Sequence, residues 1–149
     1  KDFSDKKVSD LRQKSFGFIF QFYNLIPNLT AYENILLASV IANKINEERI
    51  DSLLEMVGMK EYKNYFPNEM SGGMQQRVAI ARALVNEPKV IFADEPTGNL
   101  DQKKGKEIMG LLYKLNKENN ITIILVTHNE DYLKYCSRTI NLIDGEFIE

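Results

Sequence analysis

The chain has 149 residues, of which 44% are hydrophobic and 27% are charged, a composition that excludes intrinsic disorder and suits one globular domain. Its formal net charge of -2 and pI near 5.6 argue against a dedicated nucleic-acid binder, which concentrates basic residues on one face. The single cysteine, Cys136, cannot form an intrachain disulfide, and no apolar run reaches the roughly 18 residues of a membrane-spanning helix, so the sequence predicts a cytosolic protein.

The first predicted elements are a strand and a helix. Residues 15–20 form a short aromatic and apolar run, which favours a buried strand that ends at the polar residue Gln21. Thr30 and Glu33 match a capping box, in which a hydroxyl and a carboxylate satisfy free amides at a helix start. The spacing therefore predicts a helix from Thr30 to about Ala42.

A second helix is predicted directly after the first. Asn46 is a suitable N-cap, and Glu47 and Glu48 favour the positive end of the helix macrodipole. Gly58 is suited to end the helix. Its apolar residues share one face: Ile50, Leu53, Leu54 and Val57. Residues from about 30 to 66 are thus predicted to form a small helical unit.

The next segment combines one helix with two apolar strands. A helix is predicted from Ser71 to Asn86-Glu87-Pro88, where proline interrupts the hydrogen-bond ladder. The runs Lys89–Ala93 and Ile121–Val126 are continuously apolar, which is typical of parallel strands covered on both faces. The pattern indicates an α/β fold.

A crossover helix and a hairpin complete the chain. Apolar residues recur at helical spacing between the two strands, at Ile108, Leu111, Leu112 and Leu115, which predicts a strand-helix-strand crossover. Residues 139–148 contain Asp144-Gly145 between short apolar runs, which predicts a terminal hairpin. The sequence contains no internal repeat.

Two adjacent carboxylates, Asp94 and Glu95, follow the first apolar strand. Ligands bind at the carboxyl ends of strands in open α/β sheets, so this position favours a functional interpretation. One carboxylate can hold Mg2+ through its water shell while the other orients or deprotonates an attacking water. For an isolated pair, solvation of a strand end is the simpler explanation, and both explanations stay open.

Further candidates lie at other predicted element ends. Ser71, Gly72 and Gly73 place a hydroxyl and two residues without side chains at a helix start, where free amides and the macrodipole favour a phosphate. An ordinary serine cap in a glycine-rich turn explains the same residues. His128, the only histidine, follows a strand and could reach a phosphate or serve a structural role. Gln21, taken alone, is an ordinary loop glutamine.

The order and spacing of these residues resemble the ATP-binding-cassette (ABC) family over essentially the whole chain. The matching motifs are a Q-loop at Phe20-Gln21, a signature at Ser71-Gly72-Gly73-Met74-Gln75, a Walker B strand with its glutamate at Val90–Glu95, a D-loop at Asn99-Leu100-Asp101 and a switch histidine at Thr127-His128. Met74 departs from the family pattern, which commonly has Gln there. Residues 18–30 and 93–101 further resemble the branch that includes macrolide-export and lipoprotein-releasing ATPases.

The resemblance implies a fold and a division into parts. It implies the α/β fold of P-loop NTPases, with a RecA-like parallel-sheet core that is incomplete at the N-terminus and an inserted α-helical subdomain. Residues 1–21 would hold the end of the N-terminal core and the Q-loop strand, and residues 22–70 the helical subdomain. Residues 71–149 would hold the signature helix and the C-terminal part of the ATPase core.

The resemblance also implies roles for individual residues. Asp94 and Gln21 would serve Mg2+, Glu95 the attacking water and His128 the γ-phosphate of ATP, while Gln21 would also report the nucleotide state to the helical subdomain. Residues expected to contact the ATP of the opposite subunit, or to lie across that interface, are Ser71, Gly72, Gly73, Gln75 and Asp101. Phe22, Tyr23 and Leu25 are candidates for a docking groove, and packing inside the helical unit explains them equally well.

A Walker A pattern, which needs glycines followed by Lys and Ser or Thr, is absent from the sequence. Gly105-Lys106 is followed by Glu107 and falls inside a predicted helix, so we reject it. The chain is interpreted as the C-terminal part of a cassette. By itself it is expected to bind MgATP very weakly and to lack ATPase activity. Uncovered sheet edges and apolar surface would favour self-association.

The function implied is ATP hydrolysis that powers a membrane exporter or extractor. A second ATPase domain would pair head to tail with this one, and a transmembrane permease would hold the pair at the cytoplasmic face of the cell membrane. No nucleic-acid partner is expected. Two alternatives remain: a soluble ABC-family ATPase that acts on ribosomes or nucleic acid, and a stable structural piece without biochemical activity.

Overall fold

The structure is a computed structural model that describes residues 15–143 and 146–148. The first part of the predicted segment 1–21 and the predicted turn residues Asp144-Gly145 lie outside the described residues. The strands are β1 (Phe16–Phe20), β2 (Val90–Asp94), β3 (Thr122–Val126), β4 (Asn141–Ile143) and β5 (Glu146–Ile148). The α-helices are α1 (Ala31–Ile41), α2 (Glu47–Met56), α3 (Gly72–Leu84) and α4 (Gln102–Asn119), with short 3-10 helices at Lys60–Tyr62, Pro67–Glu69 and Glu130–Tyr135.

The predicted helix starts are confirmed by their caps. The Thr30 hydroxyl accepts the Glu33 amide at 3.2 Å, and the Glu33 carboxylate accepts the Thr30 amide at 2.8 Å, which completes the capping box of α1. Hydrogen bonds from the Thr30 amide and then the Thr30 hydroxyl lower the pKa of Glu33. Asn46 accepts the Arg49 amide at 3.0 Å and caps α2. Local sequence signals therefore account for both helix starts.

Strands β1, β2 and β3 form a parallel sheet in that order. The register aligns Phe20 with Asp94 and Asp94 with Val126, so the three strands end at the same level. The parallel arrangement predicted from the two apolar runs is confirmed. A separate antiparallel pair, β4 and β5, provides the predicted hairpin strands.

Helix α3 lies at the centre of the described core. Val78, Ile80 and Leu84 are buried in one apolar cluster that continues into α1, α2, α4 and the sheet. Arg49 of α2 donates hydrogen bonds to the carbonyl oxygens of Leu84 at 3.0 Å and Val85 at 3.1 Å, which satisfies free acceptors at the end of α3. The helical unit is thus joined to the sheet through α3.

One face of the parallel sheet is exposed in the part of the chain that the structure describes. Ile19, Ile91 and Ala93 are buried on the covered face, whereas Phe18 is 40% and Ile124 44% exposed on the other. The prediction that β2 and β3 are covered on both faces is wrong for these residues, because the apolar side chains of α3 and α4 join the cluster on the covered face alone. The predicted uncovered apolar surface is confirmed.

No helix within residues 15–143 is long and apolar enough to cross a membrane.

We expect the exposed sheet face to promote self-association of the 149-residue polypeptide, and Ile124→Thr to weaken it. The substitution removes at least one methylene from the contact, about 0.8 kcal/mol per chain. Because a symmetric pair contains the residue twice, the dissociation constant should rise about tenfold. Sedimentation velocity over a concentration series measures this change.

The matched control is Ile41→Thr, which alters a 58% exposed residue at the end of α1, away from the sheet. It should leave the dissociation constant unchanged. An unaltered polypeptide that stays monomeric at high concentration would contradict the prediction.

Candidate functional site

The site lies at the carboxyl edge of the parallel sheet. Gln21, Glu95 and Thr127 each follow the last residue of one of three adjacent strands, and the strand ends are in register. The edge therefore collects an amide, a carboxylate and a hydroxyl from residues up to 106 positions apart in the chain. The sequence-predicted residues Gln21, Glu95 and His128 are brought to this one edge.

Glu95 is the most constrained residue of the edge. Its backbone has φ of 43°, a left-handed conformation that is uncommon for a residue with a side chain, and its amide donates to the Val126 carbonyl oxygen at 2.9 Å. The backbone hydrogen bond connects the end of β2 to the end of β3. The Glu95 carboxylate is consequently directed towards the residues that follow β3.

Three groups contact the Glu95 carboxylate. Oε2 accepts the Thr127 hydroxyl at 3.2 Å, and Oε1 accepts the His128 amide at 2.7 Å. His128 Nδ1 lies 2.6 Å from the same Oε1. The Glu95 side chain is 19% exposed and the His128 side chain 84% exposed, so an inward carboxylate is paired with an outward imidazole. Such a pair can pass or share a proton with a molecule at the surface.

Gln21 is oriented by the segment that follows β2. Its Nε2 donates to Asn99 Oδ1 at 3.4 Å, and Asn99 Nδ2 donates to the Gln21 carbonyl oxygen at 3.0 Å. Gly98 lies directly beneath this side chain: a Cβ there would be 2.7 Å from Gln21 Nε2. The position of Gln21 therefore depends on residues 98 and 99.

Asp94 lies on the exposed face of the sheet, in register with Phe20 and Val126. Its neighbour Glu95 accepts hydrogen bonds from the residues after β3 instead. The two adjacent carboxylates thus have different surroundings, which suits a division of tasks between them. No group of three or more His, Cys, Asp or Glu side chains that could hold a metal ion occurs within residues 15–143.

A second group of residues surrounds the start of α3. Ser71 is the N-cap, and its hydroxyl accepts the Met74 amide at 3.4 Å. Gly73 is buried, and Gly72 lies against Leu100. An open cavity of about 170 Å³ separates this helix start from α4, lined by Ser71, Gly73, Met74, Arg77, Lys104, Glu107 and Ile108. The exposed Ser71 hydroxyl and the helix terminus suit an anion.

Two other predicted site residues make local contacts. Asp101 caps α4 by accepting the Lys104 amide at 2.9 Å, and its carboxylate lies 3.4 Å from Lys104 Nζ. The hydrogen bond from the Lys104 amide is the largest cause of a lowered pKa at Asp101. Gln75 donates to the Met70 carbonyl oxygen at 3.2 Å. The structure therefore places the predicted residues in two groups, one at the sheet edge and one at the start of α3.

The docking-groove candidates are not equivalent. Phe22 is 71% exposed, whereas Tyr23 and Leu25 are half-buried, and Leu25 packs against the core. Gly105-Lys106, rejected as a Walker A match, lies inside α4 as predicted.

Sequence reasoning missed two polar residues of α3. Gln76 is fully buried, and its Nε2 donates to the Pro96 carbonyl oxygen at 2.6 Å, which joins α3 to the segment after β2. Its Oε1 has no hydrogen-bond partner within the described chain. Arg82 donates to backbone carbonyls after β1. The available signals were a glutamine and an arginine that flank the apolar run at residues 78–81 of this helix.

Comparison with known proteins decides the family. Residues 1–98 match the family described as ABC transporter. The chain belongs to the ABC transporter family. This result confirms the resemblance drawn from the Q-loop, signature and Walker B residues.

Individual ABC relatives cover nearly the whole chain. The lipoprotein-releasing system ATP-binding protein of Syntrophus aciditrophicus is 44% identical over 97% of this chain and 66% of its own length. The macrolide export ATP-binding/permease protein of Bdellovibrio bacteriovorus is 45% identical over 97% of this chain and 22% of its own length. The chain thus spans about two thirds or less of these relatives, and both predicted branch types occur among them.

A solved ABC structure confirms the fold. The dimeric, post-hydrolysis form of an ATP-binding cassette bound to ADP and Pi superposes with a TM-score of 0.86 at 42% identity, over 99% of this chain and 67% of that chain. The predicted α/β P-loop NTPase core is therefore correct.

Gly98→Ala tests how this ABC chain holds Gln21. The new Cβ would lie 2.7 Å from Gln21 Nε2, so the flexible side chain must move and its hydrogen bonds with Asn99 should break. We expect displaced side-chain amide signals of Gln21 and Asn99 in NMR spectra. Because the amides are exposed, the unfolding free energy should change by less than about 1 kcal/mol. Unchanged amide signals would contradict this account.

Proposed function

We propose that the protein containing this chain is the ATP-hydrolysing subunit of a membrane transporter of the lipoprotein-releasing or macrolide-export type. The observation that carries the proposal is the Glu95 carboxylate, which is held at the carboxyl edge of the sheet by Thr127 and His128. The names of the relatives support the transport role. Their coverage of almost the entire chain supports a common activity.

In this proposal Glu95 orients and deprotonates the attacking water. Its carboxylate is fixed by hydrogen bonds rather than free to rotate, which reduces the entropy lost in reaching a reactive geometry. His128 is exposed beside it and can donate a hydrogen bond to a phosphate oxygen. The short contact between His128 Nδ1 and Glu95 Oε1 holds the imidazole in one orientation.

Asp94 and Gln21 are the proposed residues for Mg2+. Both provide oxygen atoms, which Mg2+ prefers, and they occupy adjacent strand ends at the same edge of the sheet. When bound, Mg2+ would neutralise charge on the phosphate oxygens of ATP. Water and phosphate oxygens would supply the remaining ligands.

The residues at the start of α3 are proposed to bind the ATP of a second ATPase domain. The exposed Ser71 hydroxyl and the helix terminus suit a phosphate, with contributions from Gly72, Gly73 and Gln75. Asp101 caps the adjacent helix and would lie across the head-to-tail interface. The dimeric state of the related cassette, with ADP and Pi bound, supports this arrangement.

A transmembrane permease is the proposed second partner. Phe22 is 71% exposed directly after Gln21, and exposed large apolar residues of this kind mark candidate contact surfaces. Docking there would place the protein at the cytoplasmic face of the cell membrane and connect the permease to Gln21. The alternative of a soluble ATPase acting on ribosomes or nucleic acid is less favoured, because the relatives are named as parts of transport systems.

Glu95→Gln in the full-length protein tests the catalytic role. Glutamine keeps the shape and one acceptor oxygen, but it cannot take a proton. We expect ATP hydrolysis to fall by at least about 100-fold, the usual contribution of a general base, while ATP still binds. A phosphate-release assay and a nucleotide-binding titration measure the two effects.

Glu118→Gln is the matched control, because Glu118 is exposed near the end of α4, 3.9 Å from Lys114 Nζ. It should leave hydrolysis within twofold of the unaltered protein. Equal losses in both variants would argue against the proposed role of Glu95.

The 149-residue polypeptide should bind MgATP very weakly, because its sequence lacks the glycine-rich Walker A loop that cradles phosphates. Isothermal titration should give no saturation at micromolar MgATP, and phosphate release should equal the background. Saturable micromolar binding would refute this expectation.

A further inference from the structure

The chain takes an unusual backbone path directly after the Q-loop glutamine. Tyr23 and Asn24 are consecutive residues with φ of 61° and 49°, the left-handed region that residues with side chains rarely adopt. Such a conformation persists only when surrounding contacts fix it. The residues that hold this segment therefore also determine where it leads.

Arg82 supplies these contacts from the last turn of α3. Its Nη2 donates to the Tyr23 carbonyl oxygen at 2.8 Å, and its Nη1 donates to the Asn24 carbonyl oxygen. The side chain of Arg82 is half-buried, and this burial lowers its pKa. The planar guanidinium satisfies two consecutive carbonyls at once, which a lysine ammonium does less well.

The side chain of Tyr23 reaches the other end of the same helix. A Cβ built on Gly72, the first residue of α3, would lie 2.6 Å from the Tyr23 hydroxyl oxygen and 3.2 Å from Leu100 Cδ2. Burial raises the pKa of Tyr23, in agreement with a phenol placed against the helix. Gly72 is thus enclosed between Tyr23 and Leu100.

These contacts form a closed circuit. Gln21 is hydrogen-bonded to Asn99, Asn99 adjoins Leu100, and Leu100 contacts the Gly72 position that Tyr23 covers. Tyr23 is in turn joined to Gln21 through the backbone of Phe22. Two routes therefore connect the sheet-edge group with the start of α3. One passes through Asn99 and Leu100, and the other through Tyr23.

We propose that Tyr23 and Arg82 are positioning residues that hold the signature residue Gly72 in a fixed relation to Gln21. Any displacement of Gln21 is then transmitted to the start of α3. The inference rests on the proposed function for its consequence in ATP hydrolysis, whereas the mechanical link itself is independent of it. It also explains why position 72 is a glycine, because a side chain there would meet Tyr23 of the same chain.

The test is a double-mutant cycle between Gly72→Ala and Tyr23→Phe in the full-length protein. In the tyrosine background the new Cβ collides with the hydroxyl, so Tyr23 must move. In the phenylalanine background the nearest ring atom, Cζ, is 3.5 Å away, an ordinary contact. The proposal therefore predicts that Tyr23→Phe, which removes only one hydroxyl, reverses the effects of Gly72→Ala.

Amide hydrogen exchange of residues 21–24, measured without nucleotide, reports on the link directly. Gly72→Ala should raise this exchange about tenfold in the tyrosine background and less than threefold in the phenylalanine background. Peptides from α2 should not change. An equal rise in both backgrounds, or an equal rise in α2, would overturn the proposal.

Two further variants complete the experiment. Gly110→Ala adds the same methyl group to a helix glycine with no neighbour within 4 Å and should leave exchange at residues 21–24 unaltered. Arg82→Lys keeps the positive charge but loses the two-pronged donor, so exchange there should rise about tenfold. Unchanged exchange in Arg82→Lys would refute the role of Arg82.

ATP hydrolysis is the second measurement on the same variants. Gly72→Ala should reduce the rate of hydrolysis. Adding Tyr23→Phe should raise the rate of the Gly72→Ala variant at least fivefold. If exchange follows the predicted pattern but the unaltered protein hydrolyses no ATP, the proposed function fails and the positioning contact stands. If the unaltered protein is active and exchange shows no rescue, the positioning proposal fails alone.

Discussion

The packing of α3 against β1 is the constraint on which the rest of the structure depends. A Cβ at Gly17 would lie 2.6 Å from the Ala83 carbonyl oxygen, so strand and helix approach at backbone distance and neither can shift without moving the other. The same helix buries Val78 and Ile80 in the core shared with α1 and α2. One helix therefore fixes both the sheet, with the candidate site at its carboxyl edge, and the helical unit.

The candidate site follows from strand register. Parallel strands that end at one level deliver the residues after them to a common edge, and this explains why Glu95 and His128 meet although 33 positions separate them. The left-handed backbone of Glu95 then turns its carboxylate towards the residues after β3. Asp94, one residue earlier, stays on the exposed face of the sheet. The two adjacent carboxylates thereby obtain different surroundings.

Only a few residues connect the carboxyl edge of the sheet to the start of α3 among the described residues. The segments after β1 and β2 are hydrogen-bonded to each other through Gln21 and Asn99, and both touch the start of α3. Two discrete contacts of this kind transmit a displacement better than a broad, adaptable surface, because packed interiors resist continuous deformation. A displacement at the sheet edge can thus reach the start of α3 without a large rearrangement.

The sequence by itself determined the α-helices and β-strands, their order and the family, because caps such as Thr30 and Asn46, apolar strand runs and motif spacing are local signals. Only the tertiary structure decided which face of the sheet is covered, since that depends on where α3 and α4 pack. It likewise decided that Tyr23 contacts Gly72 and that Arg82 holds the preceding segment. Contacts between residues 49 or 59 positions apart leave no trace in local periodicity, because periodicity reports burial and not the identity of a partner.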